Sequence, residues 1–296
     1  MILGKLGKAT PVAWAAGRKQ NFAGPIVAMS MVPAFLRDVW QKGFQFPPRP
    51  SSLLGRQLFS TPYRAQLATT KAELKAAFQL RFRVFNLELG EGLETSYRTG
   101  EDTDEFDRVC NHIIVTDERD GQVIGTYRLQ TGASAARRLG YYSEREFDFS
   151  PYRILRDEMV ELGRACIHPD HRKYEVLMLL WKATVHYAVD HKARYMIGCS
   201  SLTSQETAYG SAVYSRLKAS LVSEPLRTVP TPACSFDLEE SDVDARPPKL
   251  LRTYLALGAK ICGPPAFDRE FKTIDFLTLM DLNNLTPAIR NRLLES

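Results

Sequence analysis

Seven charged residues lie beside apolar strand or helix patterns rather than in solvated charge runs: Arg81, Glu101, Asp104, Asp107, Arg128, Glu161 and Arg164. A buried charge is costly unless it is paired and hydrogen-bonded. A fold that accepts this sequence must therefore gather these groups or hold them at the edge of a cleft. Charges collected on a strand scaffold in this way point to a site rather than to a surface.

The local patterns describe that scaffold. Thr70 is an N-cap with Glu73 three residues on, and Leu74, Ala77, Phe78, Arg81, Val84 and Phe85 recur at helical spacing, so residues 70–89 read as a helix. Gly90 and Gly92 end it. Residues 93–108 are polar and acidic, a loop. Residues 112–115 and 122–129 flank Asp120-Gly121, a strong hairpin signal. Residues 131–157 are irregular. Residues 159–167 form a strand, broken by His168-Pro169-Asp170, and an amphipathic helix spans 172–191. A strand at 193–199 and a helix at 203–219 follow. A long excursion covers 222–248, then a short helix at 249–257 and a last strand at 273–280. This order predicts one α+β (mixed α/β) domain with a central, mostly antiparallel sheet flanked by helices.

Charge and cysteine usage exclude several classes. Residues 1–56 carry eight basic side chains against one acidic, Asp38, which leaves 31 basic against 33 acidic in residues 57–296. The alkaline balance thus belongs to a Pro-containing N-terminal tail, and the body offers no nucleic-acid footprint. The tail reads either as a disordered leader or as a basic, partly apolar patch suited to an anionic membrane surface. The body, 57–296, holds the functional domain. No run reaches the roughly 18 apolar residues of a membrane span. Five cysteines without a CxxC pair, and no secretory signal, predict a reduced, cytoplasmic chain without a metal site.

The strand–break–helix Ile167-His-Pro-Asp-His-Arg172 resembles the acyl-donor motif of the Gcn5-related N-acyltransferase fold. Leu80-Arg81-x-x-Val84-Phe85, Asp104-x-x-Asp107, Gly125-Thr-Tyr-Arg128-Leu129 and Glu161-Leu-Gly-Arg164 resemble landmarks of acyl-homoserine-lactone synthases. Closer still is a resemblance to the L-ornithine Nα-acyltransferases of ornithine-lipid synthesis. It is carried by Tyr141-Tyr-Ser-Glu-Arg-Glu-Phe147-Asp, Glu161-Leu-Gly-Arg-Ala-Cys-Ile-His-Pro169, Ile197-Gly-Cys-Ser-Ser201, Tyr254-Leu-Ala-Leu-Gly-Ala-Lys-Ile-Cys-Gly-Pro264 and Asp275-Phe. It covers roughly residues 70–285 and leaves the tail outside. The resemblance implies a fatty acyl group, 3-hydroxylated in that family, passed from the phosphopantetheine thioester of an acyl carrier protein to the α-amine of L-ornithine, with no further cofactor. It also implies that the strand at 159–167 supplies a carbonyl-polarising N–H, and that its splaying from the strand at 195–199 opens a pantetheine slot. Coenzyme A-using relatives place glycines after the arginine to cradle a pyrophosphate. Here Arg172 is followed by Lys173-Tyr174-Glu175, which favours a carrier-protein donor.

Attack of an amine on a thioester needs a neutral amine, a polarised carbonyl, an acyl slot and protonation of the leaving thiolate. Arg128 or Arg164 suits the acceptor's carboxylate, since a guanidinium grips it in bidentate fashion. Asp104, Asp107 and Glu161 suit its ammonium groups, and Arg81 belongs with them. Glu161 or Glu101 is the expected proton acceptor. Phe85 and Phe147 line either the core or the acyl slot, and His168, Arg172 and Lys173 are the donor-side candidates. Against these roles, Arg81, Asp104, Asp107 and Arg128 also fit a buried ion-pair lattice that orders the 93–108 loop. Within the same fold, N-acylation of another amino acid and acyl-homoserine-lactone synthesis are alternative activities. A non-catalytic membrane-surface binding protein is the alternative from a different class.

Overall fold

The Asp120-Gly121 turn, with Gly121 at φ 74°, does join two long antiparallel strands, β3 (Asn111–Asp117) and β4 (Val123–Thr131). They lie inside a nine-stranded sheet. The structure, a computed structural model, describes residues 57–239 and 245–294. The basic tail of the sequence reading therefore lies outside the described residues.

Before β3 come β1 (Leu58–Ser60) and β2 (Tyr63–Leu67), paired antiparallel. After β4 come β5 (Met159–Ile167), β6 (Tyr195–Leu202), β7 (Lys260–Ile261), β8 (Ala266–Asp268) and β9 (Thr273–Asp281). The order across the sheet is β1-β2-β3-β4-β5-β6-β9-β7, with β8 also on β9. Every pair is antiparallel except β5–β6. That pair is parallel and runs in register only from Met159↔Tyr195 to Glu161↔Ile197. Past Glu161 the two strands part. Gly198 marks the point of parting: a Cβ there would sit 2.1 Å from the Leu162 carbonyl oxygen, so only glycine lets the strands approach so closely.

Helix α1 (Lys71–Arg81) opens with the anticipated Thr70–Glu73 capping box. It does not continue as an α-helix to residue 89. Its last turns widen into π-helix over Phe82–Glu88, and Gly90 (φ 68°) ends them. Helix α3 (Tyr174–Asp190) follows β5, after a short α2 (Gly132–Arg137) capped by Thr131 within the stretch read as irregular. Helices α4 (Thr207–Leu217), α5 (Lys249–Ala256) and α6 (Pro287–Leu294) complete the set among the described residues.

Strand alternation shows how α1 and α3 use the sheet. Ile113, Val115 and Leu129 join the main core with Val176, Leu179, Leu180 and Ala183 of α3. Their neighbour His112 meets Phe78 of α1 edge-on instead, and Leu80, Val84 and Phe85 pack in a separate cluster with Cys166 and Phe271. The two helices thus cover opposite faces. Leu162 belongs to the α3 core and Cys166 to the α1 core, although an even step separates them. A bulge accounts for the reversal: Thr126 pairs with Cys166 but Arg128 with Gly163, so β5 carries one extra residue there.

Candidate active site

The bulge residue is Arg164, held at φ 52°, a conformation rare for a non-glycine side chain. It turns the guanidinium onto the Phe271 ring, 3.7 Å from the centroid, and to Asp104 at 2.9 Å. Arg128 bonds both oxygens of Asp104 at 2.7 Å and reaches Asp107 at 3.3 Å. Fully buried Arg81 bonds Asp102 at 2.7 Å and both oxygens of Asp107 at 2.8 and 3.0 Å. Three guanidiniums thus meet three carboxylates. Asp104 and Asp107 also cap a short helical turn in the 93–108 loop, each accepting a backbone N–H. Burial alone would raise the Asp107 carboxyl, but Arg81 and Arg128 outweigh it and hold it well below the usual range. Arg128 and Arg164 do the same for Asp104. The lattice places Arg81, Asp104 and Asp107 behind the site rather than in it, and Asp102, which sequence reading overlooked, is its third anion.

Where β5 and β6 part lies a cavity of about 290 Å³. Phe85, Arg128, Glu161 and Arg164 line it, and so do Glu91, Gln130, Cys199, Asp268 and Asp275. Glu161 pairs across the strands with Gln130. Its two carboxylate oxygens accept the backbone N–H groups of Tyr142 and Ser143, each at 2.8 Å. Burial raises the Glu161 carboxyl, and the Ser143 and Tyr142 bonds offset only part of that rise. A fixed, buried carboxyl of raised pKa beside an open cavity is suited to proton transfer.

Other candidates fall outside the cavity. Glu101 lies 3.9 Å from Lys75 on α1 and does not line it, whereas Glu161 does. Phe147 is core: it forms a β-bridge with Pro230 and is 1% exposed. His168, Arg172 and Lys173 occupy the turn from β5 into α3. There His168 accepts the Asp170 N–H, and Arg172 is held by Glu88 through two bonds of 2.6 and 2.7 Å, so it is not an unpaired cation.

Sequence reading also passed over the acidic side of the cavity. Asp275 stands in β9 between Ile274 and Phe276, the same charge-in-an-apolar-strand signal that singled out Arg128. Glu146, Cys199 and Asp275 bring ligand atoms within 4.8 Å of one another, a spacing that would also admit a metal ion. Burial and the Asp268 charge push the Asp275 carboxyl up to about 6. Burial and neighbouring carboxylates raise Glu146 well above its ordinary value. Burial likewise pushes the Cys199 thiol far up, which makes it a poor nucleophile.

A central sheet whose two middle strands part over a charged cavity, with a strand–turn–helix on the donor side, defines an acyltransferase of the GNAT class. Residues 80–182 match the family model described as an acetyltransferase (GNAT) domain. The L-ornithine N(alpha)-acyltransferase of Rhodobacter capsulatus is 33% identical over 242 residues, spanning 77% of this chain and 93% of that protein. The enzyme of that name from Brucella abortus is 30% identical, spanning 75% and 85%. The crystal structure of the AHL synthase LasI is similar at TM-score 0.47 and 13% identity, covering 77% of this chain and 93% of that one. The chain belongs to the L-ornithine N(alpha)-acyltransferase family.

Proposed function

We propose that the chain transfers a 3-hydroxy fatty acyl group from the phosphopantetheine thioester of an acyl carrier protein to the α-amine of L-ornithine, giving a lyso-ornithine lipid. One observation carries the reading: Glu161, Arg128 and Arg164 share a cavity at the divergence of β5 and β6. The thioester enters along the parting strands, where β5 past Glu161 has no partner in register on β6. Backbone N–H groups on that edge polarise the thioester carbonyl. The acceptor's carboxylate docks on the Arg128–Arg164 side. Glu161 takes a proton from the α-ammonium, directly or through water. The free amine attacks the carbonyl carbon, the C–N bond forms and the C–S bond breaks, and the proton that the nitrogen sheds on becoming an amide passes to the departing thiolate.

For the donor, support comes from the glycine-free Lys173-Tyr174-Glu175 sequence at the start of α3 and from Arg172, already engaged by Glu88. This site is a poor pyrophosphate cradle, and a carrier-protein arm has a single phosphate. Incubation with acylated carrier protein or acyl-CoA and a panel of amino acids, read by thiol release and mass spectrometry, tests the reading. Acyl-ornithine from the carrier-protein donor is expected. Product from acyl-CoA alone, or no ornithine amide, refutes it.

A further inference from the structure

The acyl-transfer reading uses Arg128, Glu161 and Arg164 and leaves an acidic part of the cavity wall unexplained. Glu91, Asp268 and Asp275 line that wall, and Glu146 stands beside Asp275. All four are more than nine-tenths buried, yet none is ion-paired among the described residues. The contrast with the lattice a few residues away is sharp, since there every buried carboxylate has its arginine.

Unpartnered buried atoms occur on both sides, Asp102 Oδ2 and Arg164 Nε in the lattice and carboxyl oxygens on this wall. Glu146 and Asp275 hydrogen-bond to each other through their carboxyls, while Oε1 of Glu91, Oε1 of Glu146 and Oδ1 of Asp275 lack a further partner. A second, uncharged residue tells the same story: Gln130, 2% exposed, lines the cavity with both its amide nitrogen and its amide oxygen unpartnered. Native proteins rarely bury polar atoms unsatisfied, and those that remain are concentrated where something else is meant to bind. A carboxyl pair that shares one proton keeps one negative charge, and a donor-rich cation would answer it.

Ser143 separates the two sides. Its N–H donates to Glu161 at 2.8 Å, and its Oγ accepts from Cys199 Sγ at 3.4 Å. Cys199 Sγ in turn lies 3.6 Å from Glu146 Oε2. Glu161 and the Glu146–Asp275 pair thus stand on either side of Ser143 and Cys199. We propose that Asp275 and Glu146 form the receptor for the side-chain ammonium of the acceptor, with Asp268, whose Oδ1 already accepts the Glu270 and Phe271 N–H groups, adding negative charge beside them, and that this wall makes the enzyme select a diamino acid over a neutral one. The inference rests on the reading that this cavity acylates an amino acid. An ammonium ion supplies three N–H donors to the orphaned oxygens.

The test compares kcat/KM for L-ornithine and L-norvaline, the same carbon chain without the terminal amine, with acylated carrier protein as donor. The wild type is expected to prefer ornithine by about 10³-fold or more, because norvaline leaves the carboxylates unpaired. In Asp275→Asn and Glu146→Gln the ratio should fall to within about tenfold, chiefly through KM for ornithine. Equal use of both amino acids by the wild type, or equal loss on both in the variants, overturns the subsite while leaving acyl transfer intact. No amide from either substrate overturns the acyl-transfer reading and the subsite with it. Should the variants fail to fold, the wild-type ratio decides, together with thermal stabilisation by ornithine and not by norvaline. Stoichiometric divalent metal in the purified wild type also overturns the proposal.

Discussion

Glu161 shows how one side chain is prepared for chemistry by its neighbours. Two backbone N–H groups fix both oxygens, while burial works against the charge. Both effects are needed, since orientation without a raised proton affinity gives a weak base. Glu161→Gln is expected to lower kcat about 100-fold or more at near-constant KM for the thioester, read by thiol release. Undiminished turnover would remove Glu161 from the mechanism. Arg81 is a contrasting case, since its importance is structural. Arg81→Met leaves Asp102 and Asp107 buried without their main cation, at a cost of about 3–5 kcal/mol. Urea unfolding monitored by circular dichroism reads this directly, and a loss under 1 kcal/mol, about the size of an exposed pair, would contradict it.

Among the elements, the β5–β6 pair decides whether a cleft exists. Parallel pairing ends at Glu161 and Ile197, and Gly198 lets the strands touch just before they part. In Gly198→Val, the new Cβ meets backbone, which cannot turn aside as a side chain would. The expected result is a loss of about 1–3 kcal/mol or more, together with impaired acyl transfer. Thermal melting and the thiol assay on one preparation check both, and a fully active, equally stable variant would show that the close approach is dispensable. The bulge in the same strand re-aims Arg164 at the cavity while Cys166 stays in the α1 core. Neither device is visible as a periodicity. A strand of residues 159–167 is plain from its apolar run, but a single extra residue in its pairing leaves no mark until the partner strand is known.

Across the whole molecule, buried titratable groups set the pH response. The folded state holds the Asp275 proton up to about pH 6, whereas an ordinary aspartate releases it near 3.8. Its contribution is therefore fully present below 3.8 and is lost as pH rises to 6, about 3 kcal/mol in all. His112 acts in the opposite sense. Burial pushes it down to about 4 from 6.5, so its contribution is present above 6.5 and is lost as pH falls to 4. The two offset each other between pH 4 and 6. Below that, Asp104 and Asp107, both depressed by their arginines, lose their contribution as they take up protons, and acid unfolding follows. Glu91, Glu146 and Glu161, raised by burial, act in the same sense as Asp275, so stability measured by denaturant should decline as pH rises from about 5 toward neutrality and should also fall steeply below about 3.5. Asp275→Asn should gain on the wild type as pH rises from 4 to 7, by up to about 3 kcal/mol. A difference that ignores pH would mean that Asp275 ionises normally.

Much of this molecule is written locally. The Thr70–Glu73 cap, the Asp120-Gly121 hairpin, the β5–turn–α3 unit and the strand carrying Asp275 follow from turn chemistry and from periods of 3.6 and 2, which neighbouring residues impose on their own. So does the warning that Arg81, Asp104, Asp107 and Arg128 must find partners. Which charge meets which depends on contacts between residues far apart in the chain, and sequence spacing does not encode them. Folding gathers Arg81, Arg128 and Arg164 with Asp102, Asp104 and Asp107 in a balanced lattice, and of these only Arg128 and Arg164 also line the cavity, with Glu161. It sets Gln130 and Asp275 there, with Glu146 beside Asp275, each with a polar atom unpaired. A carboxylate's role follows from the groups within about 4 Å of it, and only the packed sheet brings those groups together.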